Sequence, residues 1–289
     1  MKHGFVGLRW ATVGVLVVFL VLIWQAVWQA GPKDHLEVAF LDVGQGDATL
    51  VTAPGGNRLL IDGGLGPVVL PALNEVLPFH DRRIEVLLAT HPHADHIGGL
   101  PFVLDRFEVQ AVIDNDLSAD TEVYRRFERS IADSGVKRLS GRRGMVIHLD
   151  KETVFVVLFP DRKLYPGMDP DDGSIIGQVL HGETSFMFTG DAGQAIERYV
   201  SFLDGPKLDS EVLKAGHHGS RTSTAFEFVG WVDPDYAVIS AGADNRYGHP
   251  HSEVIETLEQ FEVGIEATAE SGTVIFHSDG RKVECLTCR

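Results

Sequence analysis

Three histidines and one aspartate lie within six residues of one another, and this cluster restricts the fold more than any other feature of the chain. They form the pattern His91-x-His93-x-Asp95-His96. The apolar run at residues 86–89 precedes them and has the length and composition of a buried strand. A glycine pair follows, and then apolar residues recur at helical spacing. The cluster is therefore predicted to lie on a loop at the carboxyl end of a strand, where α/β proteins usually place their reactive groups.

The residue types in this cluster are those that bind transition metals. Imidazole nitrogens and carboxylate oxygens are ligands of Zn²⁺ and its neighbours in the transition series. On an extended segment His91 and His93 point to the same side and can hold one ion. The turn that follows lets Asp95 and His96 face a second ion. We therefore predict a site for one or two divalent cations.

Five more segments accompany the cluster in a fixed order, and together they resemble a known family. The histidine pattern is similar to the signature of the metallo-β-lactamase fold, and the whole set resembles the hydrolase domain of ComEC-type competence proteins. The resemblance covers most of the chain after residue 35. It implies an αββα sandwich, in which two sheets lie face to face with helices outside, whereas periodicity alone indicates only the α/β class. The five segments are residues 41–48, 60–64, 189–191, 213–220 and 245–250.

The resemblance also implies the remaining metal ligands. Asp191 ends an apolar strand and would bridge the two ions, although a helix N-cap is its alternative role. His249 would supply the last histidine of the second position, and Asp62 would orient a metal-bound histidine. Asp42 and Asp47 flank two glycines and are assigned either to the surroundings of the site or to turn formation. The predicted ligands are His91, His93, Asp95, His96, Asp191 and His249.

Two adjacent histidines, His217 and His218, follow a further predicted strand. Neighbouring side chains leave an extended backbone in opposite directions, so we expect one of them, preferably His217, to contact the metal centre or the scissile group. The other would orient it. Asp95 is predicted to take a proton from the nucleophile, and His217 or His218 to give one to the leaving oxygen. Asp95, His217 and His218 are therefore the predicted catalytic residues.

One feature of the family pattern is missing from this sequence. Many metallo-β-lactamase-fold hydrolases place another histidine between the cluster and Asp191, but the matching stretch here, residues 171–175, contains none. His148 and His181 fit packing or surface roles better. The first position is therefore expected to be held by His91, His93 and Asp191 alone. Mn²⁺ is then as plausible as Zn²⁺, and occupancy by a single ion is an alternative.

The N-terminal segment has the character of a membrane anchor. Residues 10–28 are 19 uncharged, mostly apolar residues, close to the roughly 20 that cross a bilayer. Lys2 and Arg9 precede them, which predicts an N-terminus inside and a domain outside the cytoplasm. The alternative is a cleaved signal peptide and a secreted domain. We predict an anchor or signal segment at residues 1–30, a linker at 31–35 and a hydrolase domain at 36–289.

The net charge of the chain affects which substrates it can bind. The net charge is −16, and because the first 30 residues contain two basic residues and no acid, the remainder holds 23 basic and 41 acidic residues. Such a domain is a poor general binder of nucleic acid. The resemblance nevertheless implies a phosphodiesterase or nuclease that acts on DNA, associated with DNA-uptake machinery. The alternatives are a hydrolase of a small phosphoester or lactone, and a non-catalytic membrane-tethered module with a degenerate metal site.

Cysteine usage is minimal, since Cys285 and Cys288 are the only two in the sequence. Outside the cytoplasm they are able to form a disulfide across a short loop. The default expectation is a frayed C-terminal tail.

Overall fold

The computed structural model describes residues 10, 12–21, 23–24, 34–78 and 80–288. The chain divides into two units, residues 1–33 and 34–289. In the first unit the described residues are helical and exposed, and nowhere in the described part of the chain is a helix both long and apolar enough to span a bilayer. Most of the predicted anchor and linker, residues 1–9, 11, 22 and 25–33, lies outside the described residues. The domain boundaries stay predictions.

Two mixed sheets form the centre of the second unit. The first has the strand order β15-β14-β1-β2-β3-β4-β5-β6, and the second β13-β12-β11-β10-β9-β8-β7. The strands are β1 (Leu36–Phe40), β2 (Thr49–Thr52), β3 (Arg58–Ile61), β4 (Val86–Leu88), β5 (Ala111–Asp114), β6 (Lys137–Ser140), β7 (Val146–His148), β8 (Thr153–Phe159), β9 (Ile176–His181), β10 (Thr184–Phe188), β11 (Val212–Lys214), β12 (Tyr236–Ile239), β13 (Gly264–Ala267), β14 (Val274–Ser278) and β15 (Val283–Cys285).

Eight α-helices and several short 3₁₀ turns are found among the described residues of this unit. The longest, at residues 122–134, begins at Thr121, whose hydroxyl accepts a hydrogen bond from the Tyr124 amide, and ends at Gly135 in the left-handed conformation. The helices are α1 (Val69–Val76), α2 (Ala94–Ile97), α3 (Leu100–Leu104), α4 (Glu122–Ser134), α5 (Gln194–Asp204), α6 (Phe226–Val232), α7 (Ser252–Gln260) and α8 (Thr268–Ser271).

The alternation of side chains along the strands separates three apolar layers. In β1, Val38 and Phe40 pack between the two sheets against residues of the second sheet such as Phe188, whereas Ala39 packs on the outer face. That outer face is covered by α1, α3 and α4, and the outer face of the second sheet by α5, α6 and α7. Strands buried on both faces explain the continuous apolar runs in the sequence. The predicted αββα arrangement of two sheets is confirmed.

Strand direction determines where the loops meet. Strands β3, β4 and β5 are parallel to one another, and β1 runs in the same direction because it is two antiparallel pairings away from β3. In the second sheet β10, β11 and β12 are parallel. The loops that leave the carboxyl ends of these strands carry most of the residues of the metal centre described in the next section.

The C-terminal residues are ordered into the first sheet, contrary to the expected frayed tail. Cys285 pairs with Phe276 across β15 and β14, and the Leu286 amide donates to the Ile275 carbonyl over 2.8 Å. Cys285 and Cys288 are joined by a disulfide. Backbone pairing with β14 is the physical reason that this segment is not free.

Candidate metal centre

The first group of ligand atoms comes from the loop after β4 and from a 3₁₀ turn before β9. His91 Nε2 and His93 Nδ1 lie 3.4 and 2.9 Å from Asp171 Oδ1. One atom from each of these three residues falls in a cluster compact enough for a single ion. Sequence reasoning missed Asp171, because it looked in this stretch for a histidine. The signal was present as the acidic pair Asp171-Asp172.

The second group is buried and draws on both sheets. His96 Nε2 lies 3.2 Å and His218 Nε2 3.4 Å from Asp191 Oδ2. His218 Nε2 is also 3.4 Å from Asp95 Oδ2. Asp191 is not confined to the second group, because its Oδ2 also lies 3.9 Å from His91 Nε2 of the first group. Asp191 therefore stands between the two groups, and it is no N-cap, since Gly193 precedes α5 without a side-chain cap bond.

Two carboxylates hold the histidines of the second group from behind. Asp62 Oδ2 accepts a hydrogen bond from His96 Nδ1 over 2.8 Å, and Asp62 also accepts from the Thr90 amide and hydroxyl. Asp47 Oδ1 accepts from His218 Nδ1 over 2.9 Å. These bonds direct Nδ1 of each ring to a carboxylate and leave both Nε2 atoms facing the centre. Asp62 thus has the predicted orienting contact, and Asp47 has the equivalent one.

Asp47 forms an ion pair with a buried lysine. Lys214 Nζ lies 2.8 Å from Asp47 Oδ2 and donates to the Ala215 carbonyl. Burial alone would raise the pKa of Asp47, but the Lys214 ammonium and the His218 imidazole outweigh it and lower that pKa to about 2. Asp47 is therefore a carboxylate at neutral pH and remains an acceptor for His218.

The turn after β11 brings both adjacent histidines to the centre. His217 and His218 have positive φ angles of 49° and 55°, so the backbone is left-handed rather than extended and the two rings are not forced apart. His217 Nε2 lies 3.6 Å from Asp191 Oδ2 and its side chain stays 27% exposed, whereas His218 is fully buried. Both rings therefore face the centre, and His218 lies deeper than His217, which the sequence favoured for this contact.

His249 lies further out than expected. Its ring centroid is 6.3 Å from that of His218 and 5.8 Å from that of His217, and it is absent from the compact ligand groups among the described residues. Among the described residues, the second group contains His218 and not His249, and the left-handed turn carries the His218 ring inward. His251 accepts the Arg221 amide proton. The Ser220 and Thr222 hydroxyls lie 3.0 Å apart within the same turn.

Asp191 and Asp95 are ionised at neutral pH. Burial would raise the pKa of Asp191, but His218 and His96 hold that pKa well below its ordinary value. His218 and His96 likewise outweigh burial at Asp95, whose pKa is lowered. Burial and its histidine neighbours lower the pKa of His249 to about 4, which leaves that ring neutral. Although burial opposes it, Asp191 raises the pKa of both His96 and His218 well above its ordinary value. A divalent cation would therefore displace protons from these two rings when it binds.

Unpaired buried atoms test whether the centre suits divalent cations. His96 Nε2, His218 Nε2 and Asp191 Oδ1 are buried without a hydrogen-bond partner among the described residues. Such groups are costly unless something binds them. All three belong to the second group, and the donors are the nitrogen and oxygen atoms that Zn²⁺ and Mn²⁺ accept. The residues therefore fit one divalent cation in each group, with Asp191 shared.

Comparison with known proteins agrees with this geometry. Residues 41–243 match the model of the metallo-beta-lactamase superfamily. The chain is 30% identical to ComE operon protein 3 of Bacillus subtilis, over 92% of this chain and 35% of that protein. It is 30% identical to Recombination protein 2 of Haemophilus influenzae, over 90% of this chain and 30% of that protein. The chain thus spans about a third of the length of these relatives.

A solved structure shows the same fold. The metallo-beta-lactamase fold protein YhfI from Bacillus subtilis superposes with a TM-score of 0.56 at 12% identity, over 84% of this chain and 100% of that chain. At this identity the likeness extends to the fold alone.

Proposed function

Because the chain belongs to the metallo-beta-lactamase superfamily, with ComEC-type competence proteins among its homologues, we propose that it is a metal-dependent phosphodiesterase that cleaves DNA. The observation that carries the proposal is Asp191 between two ligand groups. Two divalent cations that share a carboxylate are a recurrent arrangement in enzymes that hydrolyse phosphodiesters. The relatives supply the nucleic-acid substrate class of the proposal.

The bound cations would polarise a phosphoryl oxygen and activate water at neutral pH. The protein's own residues divide the remaining work by position. Asp95 and His218 serve as ligands, because Asp95 is ionised and the His218 ring is held by Asp47. His217 is partly exposed and has Nε2 near Asp191. We assign it the transfer of a proton to the leaving oxygen.

The test is hydrolysis by the purified chain. We expect cleavage of labelled single-stranded DNA with Mn²⁺ or Zn²⁺, and a loss of at least about 100-fold in the Asp191→Asn variant, since the shared carboxylate is removed. Circular dichroism checks that the variant is folded. Absence of cleavage by the wild-type chain in every metal would remove the nuclease proposal.

A second candidate substrate is favoured by charge. The net charge of −16 opposes binding of a polyanion and favours a small phosphoester or lactone. A panel of chromogenic phosphodiesters, phosphomonoesters and lactones distinguishes the two. Turnover of a small ester without DNA cleavage would select the second candidate, whereas metal binding without any turnover would select a non-catalytic module.

We also propose that residues 1–30 anchor the domain in a membrane, with the hydrolase domain outside the cytoplasm and available to DNA-uptake machinery. The support is the uncharged run at residues 10–28 with Lys2 and Arg9 before it. Retention of the full chain in membranes after carbonate washing, together with its digestion by protease added to spheroplasts, is expected. A mature chain that begins near Gly31 would point to secretion instead.

A further inference from the structure

A second cluster of metal-ligating side chains lies at the opposite end of β1 from the metal centre. His35 precedes β1, Glu37 lies within it and His277 lies in β14. One ligand atom from each falls within 4.8 Å of the others. The strand continues from here toward Asp47 at the metal centre, and at about 3.3 Å per residue the two ends are roughly 20 Å apart. The cluster is thus separate from the centre described above.

Strand register explains why these side chains meet. Glu37 is the cross-strand partner of His277, and His277 is the cross-strand partner of Glu284 on β15. Directly paired residues share a face of the sheet, and so do residues two apart on one strand. His35, Glu37, His277 and Glu284 therefore project from one face. It is the face opposite to Val38, which points into the space between the sheets.

The contacts within the cluster fit metal ligation. Glu37 Oε2 lies 3.0 Å from His277 Nε2, close to the separation of about 3.3 Å between two ligands of a tetrahedral zinc ion with bonds near 2.0 Å. The rings of His35 and His277 lie side by side with centroids 3.8 Å apart. Both rings therefore present nitrogens to the same small volume beside Glu37.

His35 is oriented as metal-bound histidines are. Its Nδ1 lies 3.0 Å from Asp34 Oδ1, so the ring proton is on Nδ1 and the Nε2 lone pair is free. Nε2 is buried and has no hydrogen-bond partner among the described residues. A carboxylate behind an imidazole is the usual outer support of a zinc ligand. His96 and His218 at the metal centre also have a carboxylate beside Nδ1, but their partners are buried whereas Asp34 is exposed.

The surroundings favour a cation. A cavity of about 380 Å³ adjoins the cluster, and its charged lining is mostly acidic: Asp34, Asp279 and Glu284 against Lys282. Two imidazoles with carboxylates select zinc or a similar transition metal over calcium or magnesium, which prefer all-oxygen sites. The fourth position is open to water or to Glu284.

We propose that His35, Glu37 and His277 bind a zinc ion that fastens the first residues of the hydrolase domain to β14. The ion is structural, since it lies far from the proposed reaction. The site is independent of the proposed hydrolase activity, because none of its residues belongs to the metal centre.

The experiment measures zinc bound by the full chain after dialysis. All three proteins carry Asp191→Asn, which weakens the metal centre, and the first has no further change. The second adds His35→Gln. The third, the control, adds His148→Gln at an exposed histidine on β7. We expect the His35→Gln protein to bind one zinc fewer per chain than the other two, and to lose the added rise in Tm that zinc gives them. His277→Gln provides an independent second variant.

Equal zinc content and equal zinc-dependent Tm in the parent and both cluster variants would overturn the proposal. In the chain without Asp191→Asn, His35→Gln should leave hydrolysis unchanged, so loss of the zinc and loss of activity are distinguishable. Tm measured in chelator verifies that each variant is folded.

Discussion

Asp171 gives the first ligand group a carboxylate at the place where many relatives of this fold have a histidine. Its Oδ1 is 2.9 Å from His93 Nδ1 and 3.4 Å from His91 Nε2. An oxygen ligand is harder than an imidazole and shifts preference toward Mn²⁺ relative to Zn²⁺. The missing histidine therefore does not make the first position degenerate, which weakens the case for a non-catalytic module.

Removal of this carboxylate is expected to weaken the binding of one of the two cations. Asp171→Ala should lower affinity for the more weakly bound ion by more than about 10-fold, because even outer-sphere partners of ligands contribute 10–100-fold. Competition with a chromogenic chelator measures it. Asp172→Ala is the matched control, since its neighbouring carboxylate is equally half-buried but is absent from the ligand groups. Equal affinities in the two variants would contradict the assignment.

Gly46 allows the loop after β1 to lie against the loop after β4, which carries metal ligands. The loop after β1 passes so close to the loop after β4 that the Asp47 amide donates to the Asp95 carbonyl over 3.1 Å. A Cβ on Gly46 would overlap that same carbonyl, whereas a Cβ on Gly44 would meet open space. Both glycines have positive φ. Substitution by alanine would therefore strain the backbone at both positions, but only at Gly46 would the new Cβ clash with the Asp95 carbonyl.

We expect Gly46→Ala to displace Asp95 and Asp47 and to reduce metal content to about half or less of the wild-type value. Gly44→Ala should cost about 1–2 kcal/mol in unfolding free energy, the price of a left-handed non-glycine residue, and keep its metal. Elemental analysis and urea unfolding measure the two effects. Wild-type metal content in Gly46→Ala would show that the close approach is unimportant.

Glu197 connects two helices under the turn that carries His218. Its carboxylate accepts hydrogen bonds from the Thr224 and Ala225 amides, at 2.9 and 2.7 Å, just before α6. Burial nonetheless raises the pKa of Glu197 from 4.5 to about 7. The folded state therefore holds this proton at a pH at which the unfolded chain has released it.

This difference predicts a loss of stability with rising pH. Below pH 4.5 Glu197 is protonated in both states, and between 4.5 and about 7 only the folded state keeps the proton, so its contribution falls by about 3 kcal/mol. Urea unfolding at pH 5 and pH 8 should show this decrease in the wild type and not in Glu197→Gln. The exposed Glu259→Gln serves as the control and should fall as the wild type does. An undiminished fall in Glu197→Gln would contradict the prediction.

Elements at the sheet edges escaped sequence reasoning, whereas those in the interior did not. The apolar pattern of the sequence predicts the interior strands of both sheets and helices near residues 71–77, 120–134, 195–203, 225–231 and 252–261. The structure has each of these elements within a few residues. The four unpredicted strands, β6, β7, β13 and β15, are the edge strands of the two sheets. Edge strands carry charged and exposed residues, such as Lys137 and Arg138 in β6, so they lack the apolar signal.

Three acidic side chains are buried at the metal centre. Asp47, Asp62 and Asp191 are buried there, within a chain of net charge −16. Cations bound only by the folded state stabilise it by mass action. The metal centre is therefore expected to contribute to stability as well as to chemistry.

Chelation should lower Tm. At a concentration 100 times Kd, each ion adds about 2.7 kcal/mol, which corresponds to about 5–10 °C in a domain of this size. Differential scanning calorimetry with EDTA, followed by addition of Zn²⁺ or Mn²⁺, measures the effect, and Mg²⁺ at the same concentration is the control. An unchanged Tm after full removal of metal would show that folding does not depend on the cations.

The sequence by itself determined the ligand chemistry, the α/β class and the family, because residue type, spacing and apolar period are local properties. Only the tertiary structure decided which side chains share an ion. His218 joins His96 and Asp191 through a left-handed turn, and Asp171 joins His91 and His93 from a loop far away in the chain. Such convergence depends on loop dihedral angles and on the meeting of strand ends from two sheets, which no local pattern encodes.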